Sequence, residues 1–439
     1  MRGRDRLGLL DHAFCLLVRG GKPEESRLRF RFIHAADLHL DSPLIGLSKK
    51  SEDFAARVDD ASRRAFDNLV QLAIDEEVRL VVIAGDVFDG QWRDYRTGQF
   101  FVERMRRLRG HGIRVVMILG NHDADNPFAG RLELSDNVKL LSSKQPDTVL
   151  LDEIEAAVHG QSFSQREVTG NIARAYPRPI AGRFNIGLLH TAANGRDGHD
   201  NYAPCGVEQL ANHGYAYWAL GHIHAREVLS ASPPIVFSGN LQGRSIRETG
   251  AKGATLVTVE DGAVASLEHR ALDVVRFSNQ TIEIFPLDGR EALVAAMRDR
   301  AEAALAAADG RPLALRLTLA GATALHADLI TGFQNLREET EILFTSISGD
   351  LWLEKLSLST SSFATRQGLD PSVAGGLARA IDELAATGWL EQRLSARLGE
   401  IATKLPAGAH PDALFAQMKA ESCERARALA LAYLEKGQR

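Results

Sequence analysis

Cysteine is scarce in this chain, with Cys15, Cys205 and Cys423 far apart. They fit neither a disulfide framework nor a zinc-ligand spacing, and so point to a reducing, cytoplasmic setting. No run of eighteen apolar residues occurs, so no membrane span is expected. The patch from Leu7 to Val18 is broken by Asp11 and His12. It makes a poor signal-peptide core, and residues 1–28 are expected to form a loose extension. An excess of positive charge is also missing: 52 Lys and Arg against 57 Asp and Glu give a net charge of −5. That excludes a generally basic nucleic-acid clamp while leaving room for a local basic groove. Aromatic residues are 6% of the chain, too few for an extended base-stacking platform.

What remains is ordinary globular material, 439 residues with 45% apolar and 25% charged side chains, enough for two or three domains. Strands and helices alternate from Phe30 to Val274. Strands are expected at Phe30–Ala35, Arg79–Ala84, Ile113–Leu119, Thr148–Leu151, Ala156–His159, Phe184–His190, Tyr217–Leu220 and Ile235–Ser238. Helices are expected at Asp60–Glu76 and Thr97–Arg109, whose apolar residues recur at helical spacing. Gly253–Glu260 and Ala263–Arg270, joined by Asp261-Gly262, read as a hairpin. Beyond Val274 the pattern changes. It predicts strands at Gln280–Phe285, Leu313–Leu319, Thr340–Ser346 and Trp352–Leu358, with helices at Arg290–Ala308 and Leu325–Leu336. From Asp370 the chain reads as helical, interrupted at Pro406–Pro411. The domains expected are therefore an extension (1–28), an α/β core (29–274), a small α/β piece (275–365) and a helical tail (366–439).

Chemistry collects where apolar strands end. Asp37 and His39 follow the first, Asp86 the second, Asn121 the third, His190 a later one, and His222 with His224 another. Each has a plain alternative, as a turn, a cap or a buried core histidine. Their recurrence in order, each after an apolar run, favours one site at one sheet edge. Carboxylate, amide and imidazole without thiolate suit Mn²⁺, Fe or Zn²⁺. Alternate residues share a strand face, so Asp37-x-His39 and His222-x-His224 each present two donors to one side. Asp86 has two oxygens with which to bridge two ions, and His122 beside Asn121 is placed to protonate a leaving group.

The segments Asp37-x-His39, Gly85-Asp86-x-x-Asp89, Gly120-Asn121-His122-Asp123, Leu189-His190 and Gly221-His222-x-His224 resemble the five motifs of the calcineurin-like metallophosphoesterases. Within that family the chain is most similar to SbcD-type DNA repair exonucleases of the YhaO-like bacterial branch. The residues that carry this closer likeness are His34–Pro43, Ser238–Arg244 and Glu248–Gly253. The resemblance implies a four-layer α/β/β/α sandwich of two mixed sheets, followed by a small α/β capping domain and a helical C-terminal region. It implies one ion held by Asp37, His39, Asp86 and His224, a second held by Asp86, Asn121, His190 and His222, and His122 as catalytic residue. Mn²⁺ is the metal it favours.

Archaeal and eukaryotic nuclease relatives carry a second functional histidine where this chain has Asp89, so that histidine's role does not transfer. Asp89 is left as either the partner of a ligand histidine or a turn cap. The implied activity is two-metal DNA phosphodiester hydrolysis in repair, as exonuclease or endonuclease. The competing readings are a phosphatase or cyclic-nucleotide phosphodiesterase, and a non-catalytic scaffold recruiting an SMC-like ATPase. Expected partners are DNA, an SMC/SbcC-like coiled-coil ATPase and a second copy of the chain, with no membrane. Arg244, with Arg226 and Arg247, is the expected phosphate contact. The arginine run from Arg93 to Arg109 reads as a solvated helix face.

Overall fold

A run such as Leu80-Val81-Val82-Ile83-Ala84 has no polar face to give to water, so it must lie in a sheet covered on both sides. In the computed structural model it does: this strand, β2 (Leu80–Ala84), is buried at every residue. The structure describes residues 29–42, 58, 60–89, 96–124, 132–194, 202–285, 287, 289–362 and parts of 376–433. The expected extension 1–28 with Cys15, and Pro43, Arg93, the break at Pro406–Pro411 and Cys423, lie outside the described residues.

Fifteen strands are described. They are β1 (Arg29–Ala35), β2, β3 (Arg114–Ile118), β4 (Val138–Leu140), β5 (Asp147–Leu151), β6 (Ala156–Gly160), β7 (Phe184–His190) and β8 (Tyr217–Gly221). The rest are β9 (Glu227–Ala231), β10 (Pro234–Phe237), β11 (Gly253–Glu260), β12 (Ala263–Ala271), β13 (Arg276–Glu283), β14 (Leu313–Thr323) and β15 (Leu351–Ser362). Two six-stranded sheets have the orders β12-β11-β1-β2-β3-β4 and β5-β6-β7-β8-β10-β9. Both are mixed. β1 to β4 run parallel with β11 antiparallel to β1, and β6, β7, β8 and β10 run parallel between antiparallel edges.

The sheets face each other across a core of Phe32, Val82, Val116, Ile186, Leu188, Tyr217 and Val257. Helices α1 (Ala61–Asp75) and α2 (Arg96–Gly110) cover the outer face of the first sheet through Phe66, Leu69, Phe101 and Met105. The outer face of the second sheet carries Tyr215, Trp218 and the short helix Val207–Ala211. The result is the expected four-layer sandwich. The hairpin strand β11 is buried on both faces except at its last residue.

A third, all-parallel sheet, β13-β14-β15, packs on helices α3 (Arg290–Ala307), α4 (His326–Thr331) and α5 (Phe333–Ile347). Here the sequence reading needs correction. Thr340–Ser346 is not a strand but the last half of α5, where Leu336, Thr340, Leu343 and Phe344 form one buried stripe while Ile342 points outward. Local β-branched composition misled, and the spacing of four, three and one was the better guide. The predicted helix Leu325–Leu336 is two helices separated at Gly332, and the strand predicted from Gln280 begins at Arg276. β4 and β9 were not foreseen. In the tail, helix α6 (Trp389–Ala402) is described. Among the described residues, no helix is long and apolar enough to cross a membrane.

Candidate metal centre

Parallel strands deliver their C-terminal ends to one edge, and there both large sheets place their polar residues. Asp37 and His39 follow β1, Asp86 follows β2, and Asn121 opens a single helical turn after β3. His190 ends β7, and His222 and His224 follow β8. The backbone turns sharply to aim them. Asp37, His39, Asp86 and His222 all have φ between 42° and 97°, left-handed values that cost an L-residue roughly 1–3 kcal/mol each. Gly85 and Gly120 allow the close approach: a Cβ on Gly85 would lie 2.7 Å from the His190 ring.

Three overlapping donor groups result, Asp37–His39–His224, His39–Asp86–His122 and Asp37–Asp86–His190, each with its donor atoms within 4.8 Å of one another. His190 Nδ1 faces the Ala84 carbonyl at 2.8 Å, so Nδ1 must carry the proton. Its Nε2 lone pair then meets Asn121 Oδ1 at 2.9 Å and Asp86 Oδ2 at 3.4 Å. Three acceptors facing one another require a cation or a proton among them. His39 Nε2 and His224 Nε2 stand 3.2 Å apart. His224 Nδ1 is occupied by Glu248 Oε1 at 2.7 Å, which turns the other lone pair inward. These donors fit a divalent ion. His222 donates its backbone N–H to both oxygens of Asp37, at 3.0 and 3.1 Å, and its ring lies 5.2 Å from that of His190.

The charges respond to this crowding. Burial pushes His39 down to about 3, with Arg244 adding to it. Burial likewise raises Asp37. Burial would raise Asp86 too, but His190, His39 and His122 hold it well below the usual carboxylate range. For His190 burial opposes protonation, yet Asp86 and Asp37 lift it to about 9. A proton is thus one answer to the facing acceptors, and a divalent cation is the other.

Asp89 resolves as a side-chain partner. Its Oδ1 lies 2.9 Å from His122 Nδ1, while His39 Nδ1 sits farther off at 3.6 Å. Burial works against a charged His122, but Asp89 and Asp86 raise it above its ordinary value. The His122 backbone N–H donates to Asp86 Oδ1 at 2.9 Å, tying the acid candidate to the ligand cluster. Arg244 reaches the same place: Nη1 lies 3.9 Å from Asp89 Oδ1 and Nη2 3.4 Å from Glu248 Oε1.

By contrast, the described arginines of α2 stay on its outer surface. Arg104 pairs with Asp67 and stacks on Phe100, Arg107 bonds Gln71, and Arg109 pairs with Asp136.

Asp123 and Glu248 lie within stretches that carry the family resemblance, but neither has an individual role assigned from sequence. The buried Asp123 carboxylate accepts the backbone N–H groups of Val87, Phe88 and Gly120, joining the loops after β2 and β3. Burial and the Asp86 charge lift it to about 7. A carboxylate inside a glycine-containing loop marks both positions in the sequence without naming their partners.

The chain matches the calcineurin-like phosphoesterase family over residues 30–226 and the middle domain of metallophosphoesterase YhaO over residues 277–361. It is 35% identical to the uncharacterized metallophosphoesterase YhaO of Bacillus subtilis (strain 168) over 358 residues, 80% of this chain and 86% of that protein. It is similar at 26% identity to the DNA double-strand break repair protein Mre11 of Sulfurisphaera tokodaii, over 56% of this chain and 63% of that protein. A component of the nuclease SbcCD of Bacillus subtilis is 25% identical over 54% of this chain and 68% of its own length.

Proposed function

The chain belongs to the calcineurin-like metallophosphoesterases, hydrolases that work with divalent metal, and on that footing we propose that it is a two-metal DNA phosphodiesterase acting in repair. The observation that carries this is the convergence of donors from both sheets on one edge, with the His122–Asp89 pair beside them. In this reading Asp37, His39, Asp86 and His224 hold one ion, and Asp86, Asn121, His190 and His222 the other. The chemistry that two bound divalent ions supply is polarisation of the phosphate and a hydroxide nucleophile at neutral pH.

The side chains do the rest. His122 directs Nε2 away from Asp89, whose carboxylate favours its protonated form, and gives a proton to the departing sugar oxygen. Arg244, with a guanidinium already at the rim, binds a phosphate oxygen of the substrate. Mn²⁺ is the metal proposed, on the family resemblance; the carboxylate and amide oxygens permit it, as the donor set also permits Fe or Zn²⁺. The likeness to proteins named Mre11 and nuclease SbcCD supports DNA as the substrate. We read residues 275–365 as a cap over the site. The tail from residue 366, with Leu384, Trp389 and Ile401 exposed, is read as the dock for a coiled-coil ATPase.

The test is a substrate panel with Mn²⁺: DNA with defined ends, p-nitrophenyl phosphate esters and cyclic nucleotides. DNA is expected to be cleaved best, with Asp86→Asn and His122→Ala each losing at least about 100-fold. Preference for the small esters, or full DNA cleavage by either variant, would refute this assignment.

A further inference from the structure

The segment between β10 and β11, residues 238–252, grips the candidate centre at one end and the approach to the third sheet at the other. On the site side Glu248 is the hub. Its Oε1 accepts the His224 Nδ1–H at 2.7 Å. Its Oε2 accepts Asn240 Nδ2 at 2.9 Å and the Arg244 backbone N–H at 2.7 Å. The His224 carbonyl in turn accepts Lys252 Nζ at 3.0 Å and the Asn240 N–H at 3.3 Å. Side chain and backbone of His224 are thus both held by this one segment.

On the far side the same segment binds the residues that lead into the third sheet and the first strand of that sheet. Gln242, buried, accepts the Val274 N–H at 2.9 Å and donates to the Val275 carbonyl at 2.7 Å. Gly250 N–H donates to Phe277 O at 3.0 Å, and Leu272 N–H to Lys252 O at 2.8 Å. There is little slack between the two ends: a Cβ on Gly243 would lie 2.8 Å from Glu248 O and 3.3 Å from the Phe277 ring.

We propose that Glu248 is the positioning residue for His224, and that residues 238–252 tie the orientation of His224 to the placement of β13. The claim rests on reading His224 as a metal ligand. A carboxylate is needed at 248 because the three partners just named all donate. An amide would turn an NH₂ group toward one of them and lose either the imidazole or the loop. A ligand histidine whose other nitrogen is bonded keeps its tautomer and ring orientation. Strain on β13 therefore reaches the metal through Gln242, Glu248 and His224, none of which need leave its place in the fold.

Metal-free, full-length protein titrated with Mn²⁺ in a calorimeter tests this without any substrate. Wild type is expected to take up two ions. Glu248→Gln is expected to weaken one of them about 10–100-fold and leave the other within about twofold, the scale of losses when a ligand's supporting partner is removed. Its metal-free thermal midpoint stays near that of wild type. Glu248→Asp keeps the charge but is one methylene short of spanning both sets of donors, and gives the same split. Gln242→Leu, which touches neither His224 nor any other ligand candidate, weakens the same ion by a smaller factor. Two ions bound to Glu248→Gln with wild-type affinity would overturn the proposal alone. So would equal weakening of both ions together with a fallen metal-free midpoint, which marks general loosening. No ion bound by wild type would instead overturn the metal-centre reading.

Discussion

Asp89 shows how much one side chain can decide. An aspartate that accepts from His122 Nδ1 fixes which nitrogen of that ring faces outward and favours its protonated form. Asp89→Asn is expected to lower kcat roughly 10–100-fold with little change in KM. The alkaline limb of the rate profile should move to lower pH, because His122 then gives up its proton sooner. Steady-state hydrolysis across pH 5–9, roughly the range where histidine titrates, checks both.

A second residue-scale prediction concerns His34, which is fully buried. Leu220 O at 3.1 Å accepts from Nε2–H, so Nδ1 receives the Tyr217 hydroxyl at 3.0 Å. Burial holds this ring down at about 3 from an ordinary 6.5. The folded state then binds fewer protons than the unfolded one between those values. Its stability falls as pH drops through that window, by on the order of 4 kcal/mol for this group. The stability gap between wild type and His34→Gln, measured by urea unfolding of metal-free protein, should therefore narrow from pH 7.5 toward pH 4. A constant gap would refute the assignment.

Residues such as Asp37, Asp86 and His190 were legible because each closes an apolar run. Glu248 and Asp123 were not, because their meaning lies in partners 24 and 36 residues away, which no local pattern carries.

Among the elements, the strands that were read correctly are those buried on both faces, β2, β6, β7 and β8 above all. Continuous apolar runs bounded by turns leave few other choices. β4, three residues long, and β9, half exposed, draw their shape from neighbouring strands, so the local sequence is mute about them. Close packing makes one test specific. Gly221 ends β8 just before His222, and a Cβ there would overlap the Ala84 carbonyl oxygen of β2. Gly221→Ala should cost about 1–3 kcal/mol as the two sheets are forced apart. Urea unfolding would measure that loss, and hydrolysis should fall more steeply than stability does, since His222 and His224 move with the displaced strand.

At the scale of the whole molecule, charge separates a focused site from a broad clamp. With a net charge of −5 and Arg104 and Arg109 of α2 paired away from the edge, the phosphate contacts proposed are Arg226, Arg244 and Arg247. Three such contacts give a slope of about −3 for log affinity against log salt on duplex DNA. A slope near about −8 would mean a wide basic footprint elsewhere. The third sheet meets the core through Phe277, Ala314 and Trp352 against Val58, Ala61 and Ile246, small and apolar contacts that the sequence hinted at only as a change of pattern after Val274.

The pairing order of the first sheet also bears on when the protein can act. β1 carries Asp37 and His39 at its end, yet it lies between β2 and β11, so one of its two neighbours is supplied more than 200 residues later. His222 and His224 arrive only with β8, from the opposite sheet. A chain emerging from the ribosome thus holds four of the seven candidate donors early, while β11, the second neighbour of β1, is complete only at Glu260. Chains that end before β11 are therefore expected to be hydrolytically silent, so activity would begin only once the fold closes.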